Sequence, residues 1–167
     1  MFDSMLKLMR HYPETYPDKF ALAICPEDVK SNFDKKLFSL IPCLENGSPI
    51  GNDPDYLKYL KNQGIAYITL CHSKTNQISD SNFDPDRRWN GLSPSGVELI
   101  NEMNHLGIMI DISHSSDSTV SQAVRLSEAP VIASHSSCRH FVPGFERNLS
   151  DDLIKAIAKK KGVVMVN

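Results

Sequence analysis

The 167-residue sequence has no CxxC pair, no long apolar run and no excess of basic residues. Each absence removes a class of function. Without paired cysteines, a zinc ribbon or a thioredoxin-like redox motif is excluded. The four cysteines are Cys25, Cys43, Cys71 and Cys138. Cys43 and Cys71 lie inside apolar runs, and the set reads as buried free thiols of a reducing compartment. No apolar stretch approaches the ~20 residues of a membrane-spanning helix. Eighteen Lys and Arg stand against twenty Asp and Glu, a net charge of −2. That balance provides neither a field for nucleic acid nor a polybasic membrane patch. The opening MFDSMLKLMRHYPETY lacks the apolar core of a secretory signal, so a cytoplasmic location is expected.

What is present is a rhythm. Residues 1–12 predict a short helix with Phe2, Met5, Leu6 and Met9 on one face, broken by Pro13 and Pro17. A second helix is expected over 26–36, opened by Pro26 with Glu27 and Asp28 in its first turn. The run LFSLIPCLE (37–45) then ends on Glu45, and IAYITLCH (65–72) ends on His72. IMIDISH (108–114) ends on His114, PVIASH (130–135) ends on His135, and VVMVN (163–167) is the last strand. Helices are expected between them: 54–63 capped by Asp53, 93–105 opened by Ser93-Pro94, 118–127 capped by Ser116 or Asp117, and 150–160. Gly64, Gly107 and Gly162 punctuate three of the helix ends. Strand and helix in alternation predict parallel βαβ units, and near-continuous apolar strands predict a sheet covered on both faces. In a parallel β/α barrel the strand ends share one rim, where such folds carry their chemistry.

Two phrases, MIDISHSS and VIASHSS, place His114 and His135 about twenty residues apart. That is one βαβ step, so the two imidazoles fall on neighbouring strands at one level. Neutral imidazole is the commonest protein metal ligand. Two imidazoles with a carboxylate, here Glu45, form a frequent set for catalytic zinc. A single strand-end histidine is usually a hydrogen-bonded structural residue; three strand ends carrying His72, His114 and His135 favour a metal rim. His11 and His140 have no such placement, and His105 sits near a helix C-terminus where a cation is favoured anyway.

From about residue 41 to 167 the sequence resembles the membrane (renal-type) dipeptidase family of zinc peptidases. The phrases that carry the resemblance are CLENG, GIAYITLCHSKTNQISDS, RWNGLSPSGVELINEMNHLGIMIDISHSS, APVIASHSSCRHF and RNLSDDLIKAIAKKKGVVMVN. The resemblance implies a β/α barrel with two zinc ions bridged by a glutamate, acting on dipeptides. It implies Glu45 as the bridging carboxylate and His114 and His135 as ligands of the second zinc. His72 is similar to the family histidine that contacts the scissile carbonyl oxygen. Arg147 is similar to the arginine that binds the substrate carboxylate, although Asp151 and Asp152 nearby offer it an ordinary ion pair.

The departures shape the expectation as much as the matches. The family's first strand carries His-x-Asp for the first zinc, and no His-x-Asp occurs here. The family's late proton-handling aspartate would lie beyond Asn167, and Asn46 stands where the family usually has glycine after the glutamate. The expected fold is therefore α/β: a partial (β/α) TIM-type barrel of about five parallel strands, lacking the family's first and last strands. Residues 1–36 would form an N-terminal helical segment and 37–167 the partial barrel. At most one zinc would be fully ligated. The expected function is a zinc-dependent dipeptidase, truncated and with weak or no activity alone. The alternative is a non-catalytic zinc-binding or structural remnant; a phosphoesterase on a metal barrel fits less well. A gene fragment, a homodimer covering open barrel edges, or cover supplied by the first forty residues would each explain the missing strands.

Overall fold

The computed structural model describes residues 2–51 and 53–167. Its centre is a five-stranded parallel sheet in the order β3-β4-β5-β6-β7, so each strand lies beside its sequence neighbour. The strands are β3 (Cys43–Glu45), β4 (Tyr67–Thr69), β5 (Met109–Asp111), β6 (Ile132–Ala133) and β7 (Val163–Val164). Helices α3 (Pro54–Asn62), α4 (Pro94–Leu106), α5 (Asp117–Leu126) and α6 (Asp151–Lys159) connect them. Strand order following chain order, with a helix in every connection, is the β/α-barrel pattern, here with five strands.

The capping chemistry is local and specific. Asp53, Ser93, Ser116 and Ser150 each accept a backbone N–H in the first turn of their helices, from Asp55, Gly96, Thr119 and Leu153. Of the two candidates for α5, Ser116 is the cap and Asp117 begins the helix. Gly107 ends α4 in the left-handed conformation (φ 67°).

The core lies between the sheet and these helices. Leu44, Ile68 and Ile110 are paired across β3, β4 and β5 and are all buried. They pack with Leu57, Leu60, Ile100, Met103, Val120, Ala123 and Ile157 from the helices. Side chains alternate along a strand, so the next row, Cys43, Tyr67 and Met109, points the other way. Met109 in that row is exposed, as is Val163 on β7. Thr69 and Asp111, on that same second face, are buried at the strand ends, so within the described residues the expected cover is complete on one face and partial on the other. The second face of a barrel strand is covered only when the barrel closes around it.

Four further expectations change. The first helix, α1 (Phe2–Thr15), runs through Pro13 instead of stopping there. Pro13 sits in the last turn and costs one hydrogen bond, while Tyr16 N–H still reaches Tyr12 O at 2.8 Å. Met1, included in the expected helix, lies outside the described residues. The N-terminal segment is not helical throughout: β1 (Phe20–Leu22) pairs in parallel with β2 (Phe38–Leu40), joined by α2 (Pro26–Asp34). Buried Asn32 locks this unit by donating to Leu22 O and Ser39 Oγ. The run 37–45 is therefore two strands, β2 and β3, in different sheets. Pro42, which has no N–H to donate, sits at the break. The cysteines are free, but only Cys71 is buried; Cys25 is exposed and Cys43 and Cys138 are half-buried. No helix among the described residues is long and apolar enough to cross a membrane.

Gly96 shows how tightly α4 seats. A Cβ there would lie 2.1 Å from Ile78 O. Helix propensity alone favours Gly→Ala by about 1 kcal/mol. The clash is with backbone, so it should win, and Gly96→Ala should destabilise by about 1–3 kcal/mol. Urea denaturation reads this directly, and a stabilised variant would contradict the packing described.

Candidate metal centre

The C-terminal ends of β3 to β6 bring four predicted residues to one point. Glu45 ends β3. Its Oε1 lies 3.2 Å from His135 Nε2, 3.5 Å from His114 Nε2 and 3.7 Å from His72 Nε2. The His114 and His135 Nε2 atoms are 2.8 Å apart, and the His72 and His114 rings are 4.1 Å between centroids. Ligand atoms of Glu45, His72 and His114 all fall within 4.8 Å of one another. His135 Nε2 is closer than His72 Nε2 to the carboxylate, while the His72 ring is nearer to the His114 ring than the His135 ring is, 4.1 against 4.8 Å between centroids.

Local backbone explains the convergence. β5 ends at Asp111, three residues before His114. The chain then turns, and His114 takes the left-handed conformation (φ 66°), which few residues other than glycine adopt. Its carbonyl accepts from Asn82 N–H at 2.8 Å, which holds the turn against loop 73–92. Asn46, directly after Glu45, is also left-handed (φ 81°). Asparagine tolerates that region better than most residues, and its Oδ1 accepts from Ser48 N–H, Ser48 Oγ–H and Asn76 Nδ2–H. This is the physical reason asparagine can stand where the family usually has glycine.

His114 is 9% exposed, and its Nδ1 is buried with no hydrogen-bond partner. Burial, followed by the charges of Arg147, His72 and His135, pushes its pKa down to about 4. It therefore stays neutral near pH 7, with a lone pair available. Three neutral-capable imidazoles facing one carboxylate oxygen form a donor set that fits a zinc ion. The same shift carries a prediction. On unfolding, His114 returns to about 6.5. Below that pH the unfolded chain takes up a proton that the fold refuses. The metal-free chain should therefore lose stability as pH falls from about 6.5 toward about 4, by up to about 1.4 kcal/mol per unit. Above about 6.5 this group contributes nothing. Urea midpoints across that window should fall in the parent and fall less steeply in His114→Asn, which keeps the left-handed turn; equal slopes would refute the assignment.

Arg147 reaches the same rim. Its Nη2 donates to His135 O at 2.5 Å and lies 3.5 Å from His114 Nε2; its Nη1 donates to Ser136 Oγ at 2.9 Å. Among the described residues no ion pair joins it to Asp151 or Asp152. Loop 136–149 is held by Arg139, which grips Asp117 at the start of α5 with bonds of 2.7 and 2.6 Å and also donates to Asn148 O. Arg87 adds an ion pair to Glu146. Sequence reasoning passed over Arg139, its pairing with Asp117, and the buried Asp80 and Asp111. The last had a visible signal: a carboxylate inside an apolar strand has to find donors.

Known proteins resemble this chain in sequence and in fold. The chain is 36% identical over 152 residues to an uncharacterized dipeptidase of Schizosaccharomyces pombe, covering 91% of this chain and 37% of that protein. It is 35% identical to the dipeptidase verJ of Clonostachys rogersoniana, covering 92% and 39%. The crystal structure of the probable dipeptidase PvdM from Pseudomonas aeruginosa superposes with a TM-score of 0.90 at 30% identity, covering 96% of this chain and 42% of that one. A metallopeptidase from Rhodobacter sphaeroides, liganded with a phosphinate mimic of the dipeptide L-Ala-D-Ala, gives 0.89 at 27%, covering 98% and 47%. The chain thus spans less than half the length of these relatives. The likeness also runs further than residues 41–167: the membrane dipeptidase profile matches residues 2–167, so β1, α2 and β2 are part of it. The chain belongs to the membrane dipeptidase family, peptidase family M19.

Proposed function

We propose that residues 1–167 carry one half of a zinc-dependent dipeptidase site. The observation that supports this most is the approach of three imidazole Nε2 atoms to within 3.2–3.7 Å of one Glu45 oxygen. Glu45, His114 and His135 would hold the zinc. A zinc ion bound there supplies Lewis acidity toward a peptide carbonyl and lowers the pKa of bound water. His72 is the outermost imidazole, 44% exposed, with Nδ1 meeting Ser73 Oγ at 2.8 Å. From the rim it would contact the scissile carbonyl oxygen. The Arg147 guanidinium would take the free carboxylate of the dipeptide, a planar pairing that suits arginine.

Turnover by this chain alone should be weak or nil. Residues 1–167 hold no His-x-Asp pair, so a second metal would lack that ligand pair within this chain. A positioned general acid or base is typically worth about 10²–10⁴-fold in rate, and the family residue with that role has no counterpart here. The second reading is a non-catalytic zinc-binding remnant. A phosphinate dipeptide mimic titrated calorimetrically into the zinc-loaded chain separates the two. Binding that weakens at least about tenfold in Arg147→Ala, a loss of about 1.4 kcal/mol, supports the dipeptide site. Equal binding by parent and variant would remove Arg147 from it, and no binding by either would favour the remnant.

A further inference from the structure

Asp111 touches neither Glu45 nor a candidate ligand ring, yet it sits behind the whole rim. It is fully buried at the end of β5. Its Oδ1 accepts from the N–H groups of Ser113 (3.1 Å) and Ser134 (2.9 Å). Its Oδ2 accepts from the hydroxyls of Thr69 and Ser134, both at 2.6 Å. These donors come from β4, from the turn after β5 and from the end of β6, so one carboxylate ties three strand ends together.

The direction of these bonds reaches the candidate ligand. Within 3.5 Å Ser134 Oγ has three partners, Asp111 Oδ2 at 2.6 Å, His135 Nδ1 at 2.8 Å and Ser113 Oγ at 3.4 Å, with the Tyr67 hydroxyl further off. A hydroxyl has one hydrogen. The short bond to a carboxylate, which only accepts, claims it. Ser134 Oγ can then only accept from His135, so Nδ1 must carry the ring proton. In a neutral imidazole the other nitrogen is then the lone pair. That nitrogen, Nε2, lies 3.2 Å from Glu45 Oε1 and 2.8 Å from His114 Nε2, so in the metal-free chain the hydrogen between the two rings is carried by His114.

We propose that Asp111 is a positioning residue which, through Ser134, holds His135 in the Nδ1–H tautomer and presents its Nε2 lone pair to the rim. The consequence for metal affinity rests on the reading of His135 as a zinc ligand; the tautomer does not. The polarity of the relay makes Asp111→Asn informative. Its amide can keep one oxygen for the two backbone N–H groups and turn its NH₂ toward Ser134 Oγ. The serine hydrogen then points at Nδ1, and the ring proton moves to Nε2.

Long-range proton–nitrogen NMR of the metal-free chain, at mildly alkaline pH, reads the His135 tautomer. The parent and Ser134→Thr should be Nδ1–H. Asp111→Asn should shift to Nε2–H, and Ser134→Ala should lose its Nδ1–H preference. Zinc affinity, by competition with a chromophoric chelator, should fall about 10–100-fold in Asp111→Asn and Ser134→Ala and hold in Ser134→Thr. If Asp111→Asn fails to fold, the two Ser134 variants read the same relay. An Nε2–H ring in the parent, or an unchanged Nδ1–H ring in Ser134→Ala, would overturn the proposal. A parent that binds no zinc but shows the expected tautomers would sink the metal reading and leave the relay supported.

Discussion

Exchanging Glu45 for glutamine is expected to weaken zinc binding by more than about 100-fold, since loss of outer partners alone costs about 10–100-fold. Among the described residues Glu45 is the only carboxylate at the point where the three imidazoles meet, and the amide removes its charge while keeping its shape. Its side chain is 52% exposed at a strand end, so the fold itself should barely notice. Stability of the metal-free variant should stay within about 0.5 kcal/mol of the parent. Competition with a chromophoric chelator gives the affinity, and a melt in chelator gives the stability. Unchanged affinity would mean that zinc, if bound, sits elsewhere.

Asp80→Ala should be the most destabilising of the substitutions considered, by about 3–5 kcal/mol, the scale seen when one partner of a buried polar set is removed. Asp80 is fully buried. Its carboxylate accepts from the N–H groups of Arg88 (2.8 Å), Trp89 (3.2 Å) and Gly91 (3.0 Å). Alanine leaves those three donors without an acceptor, at about 1–3 kcal/mol each where water cannot reach. The loop they belong to runs beneath His114, whose carbonyl it binds, so the rim should loosen with it. Urea denaturation with an unchanged slope and a lower midpoint is the expected result. A loss below about 1 kcal/mol would mean that water replaces the carboxylate.

The parts of the fold that were legible in the sequence were those governed by neighbours in sequence. Asp53, Ser93 and Ser150 announce helix starts because an N-cap acts within three residues. Gly107 announces a helix end for the same reason. The candidate site was legible because a βαβ step has a nearly constant length, so His114 and His135 could be placed at one level before their distance was known. What was illegible depends on contacts across the chain. The strand Phe20–Leu22 exists because Phe38–Leu40 lies beside it, and three residues carry too little periodicity to declare themselves. The break at Pro42 was hidden by a continuous apolar run. Asp111 read as a strand interior because its donors, Thr69 and Ser134, lie one strand away on either side. His114 read as the last residue of a strand, whereas its left-handed turn is imposed by loop 73–92.

The central claim is that Glu45, His114 and His135 form a zinc site within this chain, and elemental analysis of the purified protein after zinc loading and desalting tests it most directly. About one zinc per chain is expected, the complement of a single set of two imidazoles and a carboxylate, falling to near zero in Glu45→Gln combined with His135→Ala. A parent chain that retains no metal, or a doubly substituted chain that retains as much as the parent, would contradict it.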